Sequence, residues 1–120
     1  MKLSNMTAEH LVVKYIEIGS AQYDALMMDE IAKFNRLFDK MVAVEDELRG
    51  RAGDERRLLL ALYDYKNPQV RLNAIKATLA LAPEAGREAL EALAEAGEGI
   101  QSMDAGMCIF ALDEGIYKPT

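Results

Sequence analysis

Few side chains in this sequence could carry chemistry. His10 is the one histidine, Cys108 the one cysteine, and tryptophan is absent. A Ser-His or Cys-His nucleophilic pair would have to use His10. A di-iron helical bundle needs Glu-x-x-His pairs, and none occurs. One cysteine excludes an internal disulfide and the cysteine-rich zinc sites. The segment Gly50-Arg51-Ala52-Gly53 matches neither the phosphate-loop nor the dinucleotide fingerprint. Cys108 sits in the apolar run Met107-Cys108-Ile109-Phe110 and reads as a small buried hydrophobe. His10 lies in the first turn of a predicted helix and reads as a solvated surface residue. No catalytic, metal-binding or cofactor-binding residue is assigned, and the expectation is a protein that is not an enzyme and takes no cofactor.

The residues that could recognise a partner are polar groups in unexpected places. Asn35 and Glu45 interrupt an otherwise apolar helical stripe, so each needs a hydrogen-bond partner or lines a polar groove. Arg56 and Arg57 fall in the first turn of a predicted helix, the end that disfavours positive charge. They either pair with Asp46, Glu47 or Asp54, or await an anionic partner. Asp64, Tyr65 and Arg71 surround one turn, and with Tyr63 they offer an aromatic and basic patch. Glu45 is also a candidate partner for Arg56, Arg57 or Arg71.

The charge pattern sharpens this set. The chain of 120 residues carries a net charge of −6. Residues 1–48 hold −4, residues 49–76 hold +4, and residues 77–117 hold −7. A basic segment therefore lies between two acidic ones. Overall acidity works against nucleic-acid binding, which depends on neutralising phosphates. Glu84, Glu88, Glu91 and Glu95 recur at helical spacing and form one acidic stripe, read as a solvated face or a dock for a basic partner.

These side chains need elements to hold them, and the apolar spacing is helical throughout. Thr7 caps a first helix over about 8–27 that continues through Gly19. Asp29 caps a second over about 30–49, with Ile31, Phe34, Asn35, Phe38, Met41, Val42, Glu45 and Leu48 along its inward stripe. Asp54 caps a third over about 55–64, with Leu58, Leu59 and Leu62 inward. Asn67-Pro68 opens a fourth, with Val70, Ala74, Ala77 and Leu81 on its stripe. Pro83 opens a fifth over about 83–96, and a sixth covers about 101–114. No segment alternates as a strand would. The expectation is one all-α domain over residues 1–120, with short links between helices.

The stretch Leu58-Leu59-Leu60-Ala61-Leu62-Tyr63-Asp64, followed by Asn67-Pro68-Gln69-Val70-Arg71-Leu72-Asn73-Ala74, resembles a HEAT repeat. That resemblance implies a right-handed α-α superhelix of about three antiparallel helix pairs, HEAT/armadillo-like. It matches Asp64 and Arg71 to positions that often form polar ladders between repeats. The whole chain, over about residues 8–115, also resembles a small bacterial family of HEAT-like proteins, a domain of unknown function. The segments that carry this likeness are Asn35-Arg36-Leu37-Phe38-Asp39-Lys40, Glu47-Leu48-Arg49, Asn67-Pro68-Gln69-Val70-Arg71 and Ala105-Gly106-Met107. The family brings a fold and no established activity.

The functional expectation is a protein-protein interaction module, an adaptor or binder of one partner. A homodimer sealed by Met27-Met28 or Met103-Met107 is consistent with it. The alternatives are nucleic-acid binding through residues 49–76, and a small-ligand pocket between helices with Asn35 and Glu45 as polar contacts. The opening residues Met1 to Asn5 read as no signal segment, and no run reaches the ~18 apolar residues of a membrane span. A cytoplasmic protein is expected.

Overall fold

A computed structural model describes residues 2–97 and 99–120. Among these, every regular element is helical. The α-helices are α1 (Ala8–Met27), α2 (Ile31–Gly50), α3 (Pro68–Thr78), α4 (Pro83–Glu95) and α5 (Gly99–Asp113). Two 3-10 segments cover Leu3–Asn5 and Glu55–Leu62. The chain divides into two compact units, one ending at Leu58 and one beginning at Leu59.

The first unit is built on the α1–α2 hairpin. Thr7 caps α1 as its sequence predicts, accepting a hydrogen bond from the His10 amide at 3.1 Å. The helix runs unbroken through the buried Gly19. It ends at a left-handed Asp29, with φ of 57°. The Glu30 amide donates to the Ala25 carbonyl and the Asp29 amide to that of Leu26, so the last turn is closed. Asp29 therefore terminates α1 and does not cap α2, whose N-cap is Glu30 with no side-chain bond. At the far end Arg51 donates to the carbonyls of Leu3 and Met6 at 3.1 and 2.7 Å. Its Nε meets Glu47 at 2.9 Å. The guanidinium thus ties the N-terminal 3-10 segment to the end of α2.

The inward face of α2 differs from the predicted stripe. Met41, Val44 and Leu48 are buried, and Phe34 and Leu37 are half-buried. Ile31, Asn35 and Phe38 are exposed. Two overlapping series, 34-37-41-44-48 and 34-38-41-45-48, both satisfy helical spacing. The helix settles on the series that places Val44 in the core and leaves Glu45 at its edge, because a core position disfavours a carboxylate far more than a valine.

The predicted third α-helix is instead the 3-10 segment Glu55–Leu62. Three residues per turn put every third side chain on one face. Arg56, Leu59 and Leu62 are accordingly buried, and Leu58 is turned out at 40% exposure.

The second unit holds α3, α4 and α5. Asn67 caps α3 by accepting from the amides of Gln69 and Val70, with Pro68 at the first helical position. Val70 and Ala74 are buried as expected, while Leu81 lies past the helix end and is exposed. Leu72, Ile75, Leu79, Leu90, Leu93, Ala105 and Cys108 form one core cluster. Gly86 is buried where a Cβ would lie 2.7 Å from the Leu79 Cδ2, so any larger residue there would push the Leu79 side chain aside. Several buried polar side chains of this unit are paired with one another. Gln101 donates to Gln69 at 3.0 Å, Gln69 donates to Asn73 at 2.9 Å, and the Tyr63 and Thr78 hydroxyls bond at 2.5 Å.

Two substitutions measure these contributions. Leu90→Ala removes a fully buried side chain and lowers the unfolding free energy by about 2–5 kcal/mol. Asn67→Ala removes the α3 cap and lowers it by about 1 kcal/mol. Urea unfolding reads both, with the slope unchanged.

Candidate functional site

The first unit brings two of the predicted residues, Glu45 and Arg56, into one electrostatic cluster. Tyr15 is fully buried on α1, and its hydroxyl donates to the Glu45 carboxylate at 2.6 Å. Asp54 holds Arg56 in a two-pronged pair, with Nε to Oδ1 at 2.9 Å and Nη2 to Oδ2 at 2.6 Å. Asp54 also accepts from the Arg56 amide at 3.2 Å and adopts a left-handed φ of 52°. Arg56 is therefore a structural cation, paired with one of the three acids its position suggests. Glu45 feels the Arg56 and Arg49 charges but takes its hydrogen bond from Tyr15.

Tyr15 was absent from the sequence-derived set because it reads as a member of the apolar stripe of α1. A buried tyrosine hydroxyl needs a partner. Folding α1 onto α2 about the Met28–Glu30 turn brings positions 15 and 45 to similar distances from the turn. That signal was available in the sequence.

The remaining predicted residues do not assemble. Asn35 is exposed on α2, and Arg57 is exposed after Arg56. Asp64 and Tyr65 are exposed in the α3 approach. Arg71 is half-buried, with its Nε shielded from solvent and without a hydrogen-bond partner. Among the described residues no hydrogen bond or ion pair joins Asp64 to Arg71. Tyr63 is half-buried, and its hydroxyl is bonded to Thr78.

Arg51, Arg56 and Lys76, cations of residues 49–76, are each held within their own unit. Arg51 pairs with Glu47, Arg56 with Asp54, and Lys76 with Asp104 at 3.6 Å. The four glutamates of the acidic stripe are exposed, and Glu91 meets Arg87 at 3.3 Å. Arg87 also grips Asp113 through two bonds of 2.6 and 3.1 Å. A groove of about 330 Å³ lies beside this pair, lined by Leu79, Ala80, Pro83, Arg87, Leu112 and Pro119. It contains neither Asn35 nor Glu45. Cys108 belongs to the core of the second unit, where burial pushes its thiol pKa up. Among the described residues no group of three His, Cys, Asp or Glu side chains could hold a metal ion. No helix among them is long and apolar enough to cross a membrane.

Residues 9–113 match the model of a domain of unknown function, DUF2019. The chain belongs to this family. The crystal structure of the protein RPA1889 from Rhodopseudomonas palustris CGA009 is similar to this DUF2019 chain, with 46% identity and a TM-score of 0.96. The match covers 100% of this chain and 99% of that one. No curated protein matches it.

The cluster in this DUF2019 chain has a calculable pH signature. Burial raises the Glu45 pKa; the Tyr15 hydrogen bond opposes this, Asp46 adds to it, and Arg56 and Arg49 oppose it. In the unfolded chain the group titrates near ~4.3. Between that value and its higher folded one, the native state keeps a proton that the unfolded state has lost. Stability from Glu45 therefore declines as pH rises through that window. Asp54 behaves oppositely. Its hydrogen bonds from Arg56 hold its carboxyl below the usual range, so its contribution is present at neutral pH and is lost as pH falls through the folded value. Thermal unfolding from pH 3 to 7 should separate the two. Glu45→Gln loses the decline on the neutral side, and Asp54→Asn loses the decline on the acid side. Curves parallel to wild type for both variants would contradict the assignment.

Proposed function

We propose that this protein is a non-catalytic protein-interaction module of the cytoplasm, whose helix pairs follow the HEAT/armadillo scheme. The Asn67-Pro68 turn with the buried Val70 and Ala74 behind it supports the HEAT-like reading. The interaction reading rests on one observation, the exposed N-terminal half of α2. Ile31 is 54% exposed and Phe38 47%, and the turn before them leaves Met27 and Met28 at 68% and 71%. Asn35 lies between Ile31 and Phe38 on this face, and Arg36 and Asp39 border it. Apolar anchors within a charged rim are the usual composition of a surface that binds and releases a folded partner. Methionine adds adaptability to such a surface.

The nucleic-acid reading is weaker because Arg51, Arg56 and Lys76 are engaged by acids of the chain. The small-ligand reading loses its polar contacts, since Asn35 is at the surface and Glu45 is bonded to Tyr15.

Affinity capture on the full chain tests the proposal. Wild type should retain a stoichiometric partner from a native lysate. The double variant Ile31→Asp, Phe38→Asp should retain it at least tenfold less, while Arg57→Glu should retain it as wild type does. Retention by the double variant, or the absence of any stoichiometric partner, would count against this face. Both substituted positions are exposed, and circular dichroism checks that the helices persist.

A further inference from the structure

The core cluster of the second unit takes one side of α5, through Ala105 and Cys108. The other side is apolar and open. Ile100 is 48% exposed, Met103 62%, Met107 66% and Phe110 59%. Met103, Gly106, Met107 and Phe110 stand at steps of three, four and seven, so they outline one diamond on the helix surface. A Cβ placed on Gly106 would meet nothing within 4 Å, so the diamond is open at that corner. No charged side chain lies within it. The ionisable groups of α5 are Asp104 and Asp113, which are engaged by Lys76 and Arg87, and Glu114 follows at the C-terminal rim. The chain's own tail does not cover the face. Tyr117 packs on the core cluster, and Pro119 lines the groove beside Leu79.

We infer that this face of α5 is a two-fold interface between two copies of the chain, with the helices crossing antiparallel at Gly106. Three arguments favour a second copy over a foreign partner. The first is composition. Interfaces between identical subunits are more apolar than those between proteins that meet and part, and the centre of this face is apolar where that of the α2 face holds Asn35. The second is shape. A closed two-fold needs a self-complementary patch, and a diamond open at Gly106 and flanked by Met103, Met107 and Phe110 offers both the knob and the hole it accepts. The third is area. At about 200 Å² for a side chain of this size, these exposures leave on the order of 500 Å² per copy. Two copies would then bury about 1,000 Å², the area a specific interface has to reach. An uncovered apolar patch of that size is at the upper end of what a soluble monomer exposes.

Sedimentation equilibrium of the full chain between about 1 and 200 μM tests the inference. Wild type should rise to twice the 13.3 kDa chain mass. The variant Met107→Lys, Phe110→Lys should stay at 13.3 kDa throughout. Gly106→Leu distinguishes a close helix crossing from apolar stickiness. It adds apolar surface and improves helix propensity, yet it fills the open corner, so the dimer should weaken at least tenfold. A wild type that remains monomeric overturns the inference and assigns the face to another partner. A lysine variant that still dimerises, or a Gly106→Leu dimer as tight as wild type, overturns it as well. This interface does not rest on the α2 reading, because the substitutions leave Ile31 and Phe38 intact and each proposal can fail alone.

Discussion

The buried hydroxyl of Tyr15 sets the geometry of the first unit. Tyr15 is wholly inaccessible, and a buried hydroxyl without a partner costs about 1–3 kcal/mol. Glu45 supplies the acceptor at 2.6 Å, and this fixes how α2 is rotated against α1. With Glu45 at the edge of the contact, Val44 enters the core between Met41 and Leu48. The same rotation carries Ile31, Asn35 and Phe38 out to solvent. The surface proposed for partner binding thus follows from the rotation of α2 that this hydrogen bond and the burial of Met41, Val44 and Leu48 share. The carboxylate keeps a raised pKa because burial outweighs the help it receives from Tyr15 and the nearby arginines.

Pairing of polar groups organises the rest of the chain in the same way. Arg51 joins the N-terminal segment to α2, and Asp54 clasps Arg56 at the start of the 3-10 segment. In the second unit an amide relay links Gln101, Gln69 and Asn73, so α3 and α5 are connected by polar as well as apolar contacts. The basic segment that stands out in the sequence is thereby partly structural. A cation engaged by a neighbouring carboxylate contributes less to a long-range field than its formal charge implies. The apolar side chains left outside these arrangements, on α2 and on α5, carry the functional readings.

Much of the helical framework was legible in the sequence. The bounds of α1, the Thr7 and Asn67 caps, and the starts of α3 and α4 at prolines follow from local rules that depend on a few neighbouring residues. That the chain resembles a domain of unknown function was legible for the same reason, because motifs such as Asn67-Pro68-Gln69-Val70-Arg71 are contiguous. The candidate site was less so. Glu45 and Arg56 were identified, and Asp54 was among the acids expected to meet Arg56, but Tyr15 as the partner of Glu45 was not. The segment Glu55–Leu62 was misread because helical spacing and 3-10 spacing share Leu59 and Leu62 and diverge only at Leu58.

The sequence by itself therefore determined the secondary structure class, most helix ends and the scarcity of chemically reactive side chains. These are properties of residue type and near-neighbour spacing. Only the tertiary structure decided which of two stripes α2 buries, which cations are held by acids, and that one side of α5 stays open. Each of those outcomes depends on side chains far apart in the chain competing for the same buried contacts. Local periodicity is nearly indifferent between 34-37-41-44-48 and 34-38-41-45-48, and packing against a second helix breaks the tie.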